Sequence, residues 1–478
     1  MVCPRLVIAG LKGGSGKTTL AVGLVTALKG RGLKVVPFKK GPDYIDAGWL
    51  ASAAGHPCYN LDPFLIGRER LLSSFIAHAE GSDIAVVEGN RGIYDGMDEA
   101  GLFSTAEVAK LLRSPVIVII DCSKTTRTIA AMILGAQKFD PDVMIRGVVL
   151  NQIAGGRHES IIRKSIEHYC NLPVLGAIPR FEHGEFPERH MGLTPHQEHP
   201  DTARAISFAG DVAGKYLDLD RILAVVRETK PVTEMQGEKG REQEGEKNKN
   251  NPSSGEYQPV RIGVIRDSAF QFYYPENLEE LKGHGAEIIE ISALTERTLP
   301  PIDALYIGGG FPETHAIALA ENNEFRDSLR IAIMGGLPVY AECGGLMYLG
   351  ESLLLEDRRY PMAGIFPLNF SLERKPQAHG YSIVEVVHEN PFYPVGTVLK
   401  GHEFHYSRPL HAGGDIQEDS YAFQMKRGQG IFAKMDGVCF RNVLATYTHL
   451  HALGAQEWTR GVIAKAREYK KAKGEEAR

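Results

Sequence analysis

The sequence lacks the features that mark membrane, disulfide-rich or nucleic-acid-binding proteins. None of its apolar runs reaches the ~20 residues that a membrane-spanning helix needs. The six cysteines form no CxxC pair, which argues against a zinc ribbon or a disulfide scaffold. With 54 basic and 59 acidic residues the net charge is -5, so there is no excess positive charge to attract nucleic acid or an anionic membrane. These absences predict a cytoplasmic protein that binds neither nucleic acid nor membrane.

The length of 478 residues is enough for two or three domains. Residues 228–259 have few aliphatic side chains and many Glu, Lys, Gly and Asn residues. Such a segment cannot offset its ordering entropy by burial, so we predict a disordered linker there. The predicted domains are therefore residues 1–227 and 260–470.

Both halves alternate short β-branched runs with stretches of helical length. The runs in the first half are residues 6–10, 34–38, 84–87, 116–120 and 148–150, and those in the second are 260–265, 304–307 and 338–341. Strands that alternate with helices predict right-handed βαβ units and parallel sheets. We therefore predict two domains of the α/β class.

A glycine-rich segment after the first strand has the pattern of a phosphate-binding loop. Residues 10–19 read GLKGGSGKTT and lead into a predicted helix, although a glycine-rich turn that caps an ordinary helix would look similar. The glycines let backbone N–H groups face phosphate oxygens, Lys17 adds positive charge, and the Thr18 hydroxyl can ligate magnesium. Leu11 departs from the strict GxxxxGK[ST] pattern, but the deviant form KGGxGK[ST] fits. The predicted ATP-binding residues of the loop are Lys12, Gly13, Gly14, Gly16, Lys17 and Thr18.

Such a loop requires a metal-holding carboxylate at the end of another strand. Asp43 follows the second predicted strand and Glu88 ends the run at 84–87, so we predict that they bind magnesium together with Thr18. Asp46 and Asp95 are predicted to contribute to the nucleotide site. Acidic residues at strand–helix turns also cap helices, and that alternative stays open for these carboxylates.

Further polar residues lie near the ends of predicted strands. Lys39 and Lys40, beside Asp43, would serve phosphate or an anionic substrate, or would belong to a solvated surface. Asn151 follows the run at 148–150, where a side chain that reads adenine would lie.

A cysteine in the second half lies between a predicted strand and a predicted helix. Residues 339–346 read VYAECGGL, which resembles a nucleophile elbow at Cys343. We expect the helix N-terminus to lower the pKa of the thiol, and the backbone N–H groups of residues 308–310 to form an oxyanion hole. An inert buried cysteine is the ordinary alternative. His449 is the leading candidate for the base, with His402 and His405 as rivals, and a zinc site formed by these histidines and His451 also stays open.

A phosphate loop and a nucleophilic cysteine on one chain predict a glutamine-dependent amidotransferase. Several motifs resemble the cobyrinate a,c-diamide synthase family, namely residues 41–46, 94–96, 188–193, 272–278, 341–348 and 401–407. The resemblance implies a dethiobiotin-synthetase-like ATP-binding domain and a class I, flavodoxin-like glutaminase domain. It also implies that ATP, Mg²⁺ and glutamine serve to amidate the a and c acetate groups of a corrinoid, cobyrinic acid, through acyl phosphates in cobalamin biosynthesis.

The resemblance implies roles for single residues but leaves one member of the catalytic triad unassigned. Lys17 and Thr18 would hold the triphosphate, Asp43 and Glu88 would complete the metal site, and Cys343 and His449 would hydrolyse glutamine. Class I glutaminases usually carry Glu two residues after the catalytic histidine, where this chain has His451, so the third member of the triad is open.

Two departures from the family pattern keep other functions open. Residues 88–96 read EGNRGIYDG in place of EGxMGLYDG, which resembles a branch that includes enzymes amidating siroheme or nickel-sirohydrochlorin. Lys12 replaces a small residue, and regulatory ATPases use such a lysine to dimerise on ATP. A homodimer is left open, but we expect Lys12 to act within its own subunit.

Overall fold

The computed structural model describes residues 3–181, 201–229, 231, 259–411 and 417–476. The chain divides into two compact units, Met1–Gln236 and Gly237–Arg478. Most of the predicted linker, residues 230 and 232–258, lies outside the described residues, as does the motif at 188–193. Among the described helices, none is long and apolar enough to cross a membrane.

The N-terminal unit is built on a seven-stranded sheet. Its strands are β1 (Arg5–Gly10), β2 (Val35–Lys40), β3 (Tyr59–Leu61), β4 (Ile84–Glu88), β5 (Val116–Asp121), β6 (Ile145–Ile153) and β7 (Val174–Pro179). Its helices are α1 (Lys17–Gly30), α2 (Tyr44–Ala54), α3 (Pro63–Ile66), α4 (Arg68–Ala79), α5 (Thr105–Leu111), α6 (Thr128–Phe139), α7 (Gly156–Cys170), α8 (Thr202–Tyr216) and α9 (Leu219–Arg227). The strand order is β3-β2-β4-β1-β5-β6-β7, and neighbouring strands are parallel.

The central strands are continuous apolar runs because a parallel sheet is covered on both faces. Every residue of β1 and β2 is buried, which confirms the strands predicted there. Register brings the carboxyl ends of these strands together, since Glu88 of β4 pairs with Ile8 of β1 and with Lys39 of β2. The phosphate-loop sequence leaves the sheet at this edge.

The C-terminal unit is built on a ten-stranded sheet in the order β10-β8-β11-β13-β22-β21-β20-β17-β18-β23. Its first strands are β8 (Val260–Ile265), β9 (Phe270–Phe272), β10 (Ala286–Ile291), β11 (Ala304–Ile307), β12 (Gly309–Gly310), β13 (Val339–Glu342), β14 (Ser352–Leu355) and β15 (Arg358–Pro361). The later ones are β16 (Leu368–Leu372), β17 (Ala378–Val386), β18 (Val398–His405), β19 (Ser407–His411), β20 (Tyr421–Arg427), β21 (Met435–Phe440), β22 (Val443–Thr446) and β23 (His449–Leu450). The helices are α10 (Pro275–Gly283), α11 (Ala316–Glu321), α12 (Asn323–Met334), α13 (Gly344–Leu349) and α14 (Gln456–Glu476).

Only part of this second sheet follows the predicted strand–helix alternation. The strands from β10 to β22 pair in parallel, as predicted. Beyond β22 the sheet continues through antiparallel pairs as far as β23. The predicted parallel part is therefore confirmed, the antiparallel extension was not predicted, and this extension brings His402 and His449 to paired positions.

Candidate functional site

The predicted phosphate loop joins β1 to α1. Gly14 and Gly16 adopt φ angles of 70° and 93°, a left-handed conformation that glycine tolerates best. The Ser15 hydroxyl donates a hydrogen bond to the Lys12 carbonyl at 2.8 Å. Lys17 begins α1, and its Nζ lies 3.3 Å from the same carbonyl oxygen. The loop thus has the strand–turn–helix context that phosphate binding requires.

Lys39 lies at the centre of a buried acidic cluster beside the loop. Its side chain is 1% exposed, and its Nζ lies 2.5 Å from Asp46, 3.0 Å from Glu88 and 3.8 Å from Asp43. Burial opposes the charge, but the carboxylates outweigh it and raise the pKa of Lys39. Lys40 is buried as well, so the alternative that Lys39 and Lys40 belong to a solvated surface was wrong.

The predicted metal-binding residues belong to this cluster. Burial, together with the neighbouring Asp46 carboxylate, raises the pKa of Asp43 and of Glu88 above the usual carboxyl range. Thr18 donates to Glu88 Oε1 at 2.8 Å, while the buried Glu88 Oε2 has no hydrogen-bond partner within the described chain. Asp43 caps α2 by accepting the Asp46 N–H at 2.9 Å, as the helix-capping alternative predicts, and its contact with magnesium stays a prediction.

This donor set fits a magnesium ion. Mg²⁺ prefers oxygen ligands and is usually held by one or two carboxylates together with substrate phosphates. The hydroxyl of Thr18 and the unpartnered oxygen of Glu88 are ligands of that kind. Among the described residues no group of three or more His, Cys, Asp or Glu side chains could hold a metal ion by itself, and magnesium binding by Thr18, Asp43 and Glu88 stays a prediction.

Asp95 lies on the loop that follows β4. Its Oδ2 accepts the Gly92 N–H at 2.8 Å. A Cβ built on Gly92 would lie 2.8 Å from the Leu11 carbonyl oxygen, so this turn packs closely on the phosphate loop. Asp95 therefore shapes the turn beside the loop, and its predicted contact with nucleotide stays a prediction.

Lys12 and Asn151 flank the loop on other sides. Lys12 is largely exposed and pairs with Asp121, at the end of β5, at 3.1 Å within the same chain. The Asn151 amide donates to the Ser15 carbonyl at 3.0 Å. It also lines a pocket together with Gly16, Ile178 and Phe181, and its contact with adenine stays a prediction.

Cys343 occupies a sharp turn between β13 and α13, as the sequence predicted. Its φ of 48° is a left-handed conformation that a residue with a side chain rarely adopts. The Cys343 N–H donates to Thr446 at 2.7 Å, and its carbonyl accepts from Met347 at 3.0 Å. The predicted lowering of the thiol pKa was wrong, because burial, with Glu313 nearby, raises the pKa of Cys343.

The glycine turn at 308–310 packs against the cysteine turn and against His449. A Cβ on Gly344 would lie 3.0 Å from the Gly310 nitrogen. A Cβ on Gly309 would lie 2.5 Å from Cε1 and 3.3 Å from Nε2 of His449. The Gly308 N–H already donates to the Tyr273 hydroxyl at 2.7 Å, so it is not a bare oxyanion donor as predicted.

The remaining histidines take different positions around this site. His402 stacks on His449 with ring centroids 4.9 Å apart, and its Nδ1 lies 3.2 Å from the Tyr274 hydroxyl. His405 stacks on Tyr447 at 3.6 Å. Within the described residues these histidines form no metal-binding group, so the zinc alternative is not supported.

Two buried carboxylates support the His449 segment, and neither was predicted from the sequence. Glu342 lies 3.5 Å from His449 Nδ1 and is fully buried. Asp436 accepts hydrogen bonds from the Thr446 and Thr448 hydroxyls and from the backbone N–H groups of Tyr447 and Thr448. Glu342 contacts residues far away in sequence, whereas Asp436 contacts a segment about ten residues further along the chain, so only the position of Glu342 next to Cys343 was a usable signal.

Comparison with known proteins gives matches over both units. The model for the CobQ/CobB/MinD/ParA nucleotide binding domain matches residues 6–193, and the model for the CobB/CobQ-like glutamine amidotransferase domain matches residues 261–457. A cobyrinate a,c-diamide synthase of Magnetococcus marinus is 41% identical over 95% of each chain. Proteins of the same name from Archaeoglobus fulgidus and Listeria monocytogenes are 39% identical over 98% of each chain and 37% identical over 94% of this chain and 96% of the relative. The matches therefore extend across both units.

Proposed function

The chain belongs to the cobyrinate a,c-diamide synthase family, and on that premise we propose that it amidates the a and c acetate carboxylates of cobyrinic acid with ATP and glutamine. The nucleotide-binding and glutamine amidotransferase domains supply the two half-reactions. Neither ATP-dependent activation of a carboxylate nor hydrolysis of glutamine would by itself need both domains. The observation that carries the proposal is therefore the presence, on one chain, of a phosphate loop beside buried carboxylates and of a cysteine turn beside a histidine.

The N-terminal unit would activate the acetate carboxylate. A carboxylate oxygen attacks the γ-phosphorus of ATP, the bond to the β,γ-bridging oxygen breaks, and an acyl phosphate and ADP form. Lys17 would neutralise phosphate charge, and the glycine-rich loop would direct N–H groups at the phosphates. Thr18, Asp43 and Glu88 would hold Mg²⁺, which offsets charge on the phosphates when bound. Ammonia then displaces phosphate from the acyl group to give the amide.

The C-terminal unit would release ammonia from glutamine. His449 takes the proton of the Cys343 thiol, and the sulfur attacks the side-chain amide carbon of glutamine. The C–N bond breaks as the same proton passes to the leaving nitrogen, which departs as ammonia. Water then hydrolyses the thioester to glutamate and restores the thiol. Since burial raises the pKa of Cys343, this scheme needs a base close to the sulfur.

The substrate can be tested directly with the full-length protein. Cobyrinic acid, siroheme and nickel-sirohydrochlorin are offered side by side with ATP, Mg²⁺ and glutamine, and products are identified by mass spectrometry. We expect two successive amidations of cobyrinic acid. Amidation of siroheme or nickel-sirohydrochlorin, with no amidation of cobyrinic acid, would overturn the substrate assignment. ATP hydrolysis without any amide product would favour a regulatory ATPase.

Substitution of Cys343 tests the division of labour between the sites. Cys343→Ser should lower glutamine-dependent amidation by orders of magnitude, because the hydroxyl is a far weaker nucleophile, while ammonium-dependent amidation is retained. Cys439→Ser, in the same unit, is the matched control and should behave like the wild type. A Cys343→Ser variant that ammonium does not rescue would contradict separate sites for the two half-reactions.

Lys17→Ala should lose amidation with either nitrogen source, glutamine or ammonium.

A further inference from the structure

Glu342 is buried directly before the cysteine that the proposed function makes the nucleophile. Its side chain is fully buried at the end of β13. Oε1 accepts the Leu450 N–H at 3.1 Å, and Oε2 accepts the Tyr306 hydroxyl at 3.0 Å. Both donors are neutral, and both fix the direction of the carboxylate. Burial of a carboxylate costs free energy unless the charge is hydrogen-bonded and paired with a group that can carry a positive charge.

His449 lies between this carboxylate and the glycine turn. Its Nδ1 is 3.5 Å from Glu342 Oε2, and its Cε1–Nε2 edge is the part closest to Gly309. Gly310 in turn lies against Gly344, which follows Cys343. The ring therefore presents one nitrogen to Glu342 and the other toward the turn that borders the cysteine. Such hydrogen bonds are often long before substrate binds.

We propose that Glu342 is the positioning carboxylate of the glutaminase site and holds His449 in the tautomer protonated on Nδ1. This inference rests on the proposed function and supplies the triad member that class I glutaminases place two residues after the histidine. A carboxylate only accepts hydrogen bonds, so it favours a proton on Nδ1 and leaves Nε2 free to take the thiol proton. The same carboxylate stabilises the imidazolium that then forms.

His451, which occupies the position two residues after His449, pairs with a different carboxylate. His451 is fully buried, and its Nε2 lies 3.6 Å from Glu276 Oε1. Its Nδ1 accepts the Leu453 N–H at 3.3 Å, which leaves the proton on Nε2 and directs that nitrogen at Glu276. Glu276 and Glu342 are thus a natural matched pair, since each is a buried glutamate within 4 Å of a buried histidine.

The test compares Glu342→Gln with Glu276→Gln in the full-length protein. The amide of Glu342→Gln can still accept from Leu450, but its NH₂ group would donate to His449 Nδ1 and move the ring proton to Nε2. We expect kcat for glutamine hydrolysis to fall about 10²-fold or more, with KM within about 2-fold, as in serine hydrolases that lose their orienting carboxylate. Glu276→Gln should stay within about 2-fold of the wild type, and Glu342→Asp should recover part of the loss because it keeps the charge.

The pH dependence separates this role from a structural one. Because burial raises the pKa of Cys343, hydroxide can replace His449 as the base only at alkaline pH, where the difference in kcat between the wild type and Glu342→Gln should narrow. A constant ratio at all pH values, an unchanged kcat, or an equal loss in Glu276→Gln would overturn the proposal. Thermal unfolding shows whether Glu342→Gln folds. If it does not, the pH dependence of kcat in Glu342→Asp is compared with that of the wild type in its place. A wild type that hydrolyses no glutamine would instead refute the proposed function.

Discussion

Single residues decide whether the two candidate sites keep their geometry. Gly309 is an example, because the space that a Cβ would need is filled by the His449 ring. A glycine there leaves the imidazole edge facing the cysteine turn. The same reasoning applies to Lys39, whose burial among carboxylates a sequence pattern cannot show, since an isolated Lys-Lys pair is usually solvent-exposed.

Gly309→Ala should displace His449. The new Cβ would lie 2.5 Å from Cε1, closer than atoms can pack, so the ring must move. We expect glutamine hydrolysis to fall about 10²-fold, the order of loss that a displacement of ~1 Å can cause, while ammonium-dependent amidation is unchanged. Gly283→Ala is the control, because nothing lies within 4 Å of a Cβ at that position. Wild-type glutaminase kinetics in Gly309→Ala would contradict the placement of His449.

Among the elements, β18 carries two histidines that burial keeps neutral. Burial lowers the pKa of His405 to about 4 and that of His402 well below its usual value. Between about pH 6.5 and pH 4 the unfolded chain therefore binds more protons than the folded one. Folding stability should be fully present above that window and fall as pH drops through it.

His405→Gln should reduce this acid sensitivity. The wild type should lose up to about 3 kcal/mol of unfolding free energy between pH 6.5 and pH 4 through this residue, and the variant should lose that much less. Urea unfolding followed by Trp458 fluorescence, in a Trp49→Phe background, reports on the C-terminal unit. His284→Gln, at an exposed position, is the control. Identical pH slopes for the wild type and His405→Gln would contradict the assignment.

The sequence was sufficient where structure is local and insufficient where pairing is distant. Central strands such as β1 and β5 are continuous apolar runs, so they were found within a residue or two. The short strand β3 and the Gly- and Pro-containing β7 were missed because neither has a clear pattern. The antiparallel strands from β17 to β21 escaped prediction because their register depends on partners far away in the chain.

The candidate sites follow the same division between local and distant features. The phosphate loop and the cysteine turn are contiguous motifs, and the structure gives both the predicted strand–turn–helix setting. The partners of His449 are contributed by β13 and β18, so no spacing in the sequence could reveal them. The pKa of Cys343 was misjudged because burial is a property of the whole unit rather than of the turn.

For the whole molecule, the central question is whether ATP drives assembly through Lys12. The pairing of Lys12 with Asp121 inside one chain favours a role within the subunit. Exposed ion pairs contribute about 1 kcal/mol or less, so Lys12→Ala should lower amidation only modestly. Light scattering with and without a non-hydrolysable ATP analogue should give the same mass for the wild type and for Lys12→Ala. Dimerisation on the analogue that disappears in Lys12→Ala would instead favour the regulatory-ATPase geometry.

The burial of Cys343 has a consequence for oxidative chemistry. Peroxide attacks thiolates to form sulfenic acid, and a thiol whose pKa is raised by burial carries little thiolate at neutral pH. The sulfur is therefore poorly reactive toward oxidants except when His449 removes its proton. We therefore expect Cys343 to remain reduced in aerated solution without the resolving cysteine that redox-active sites employ.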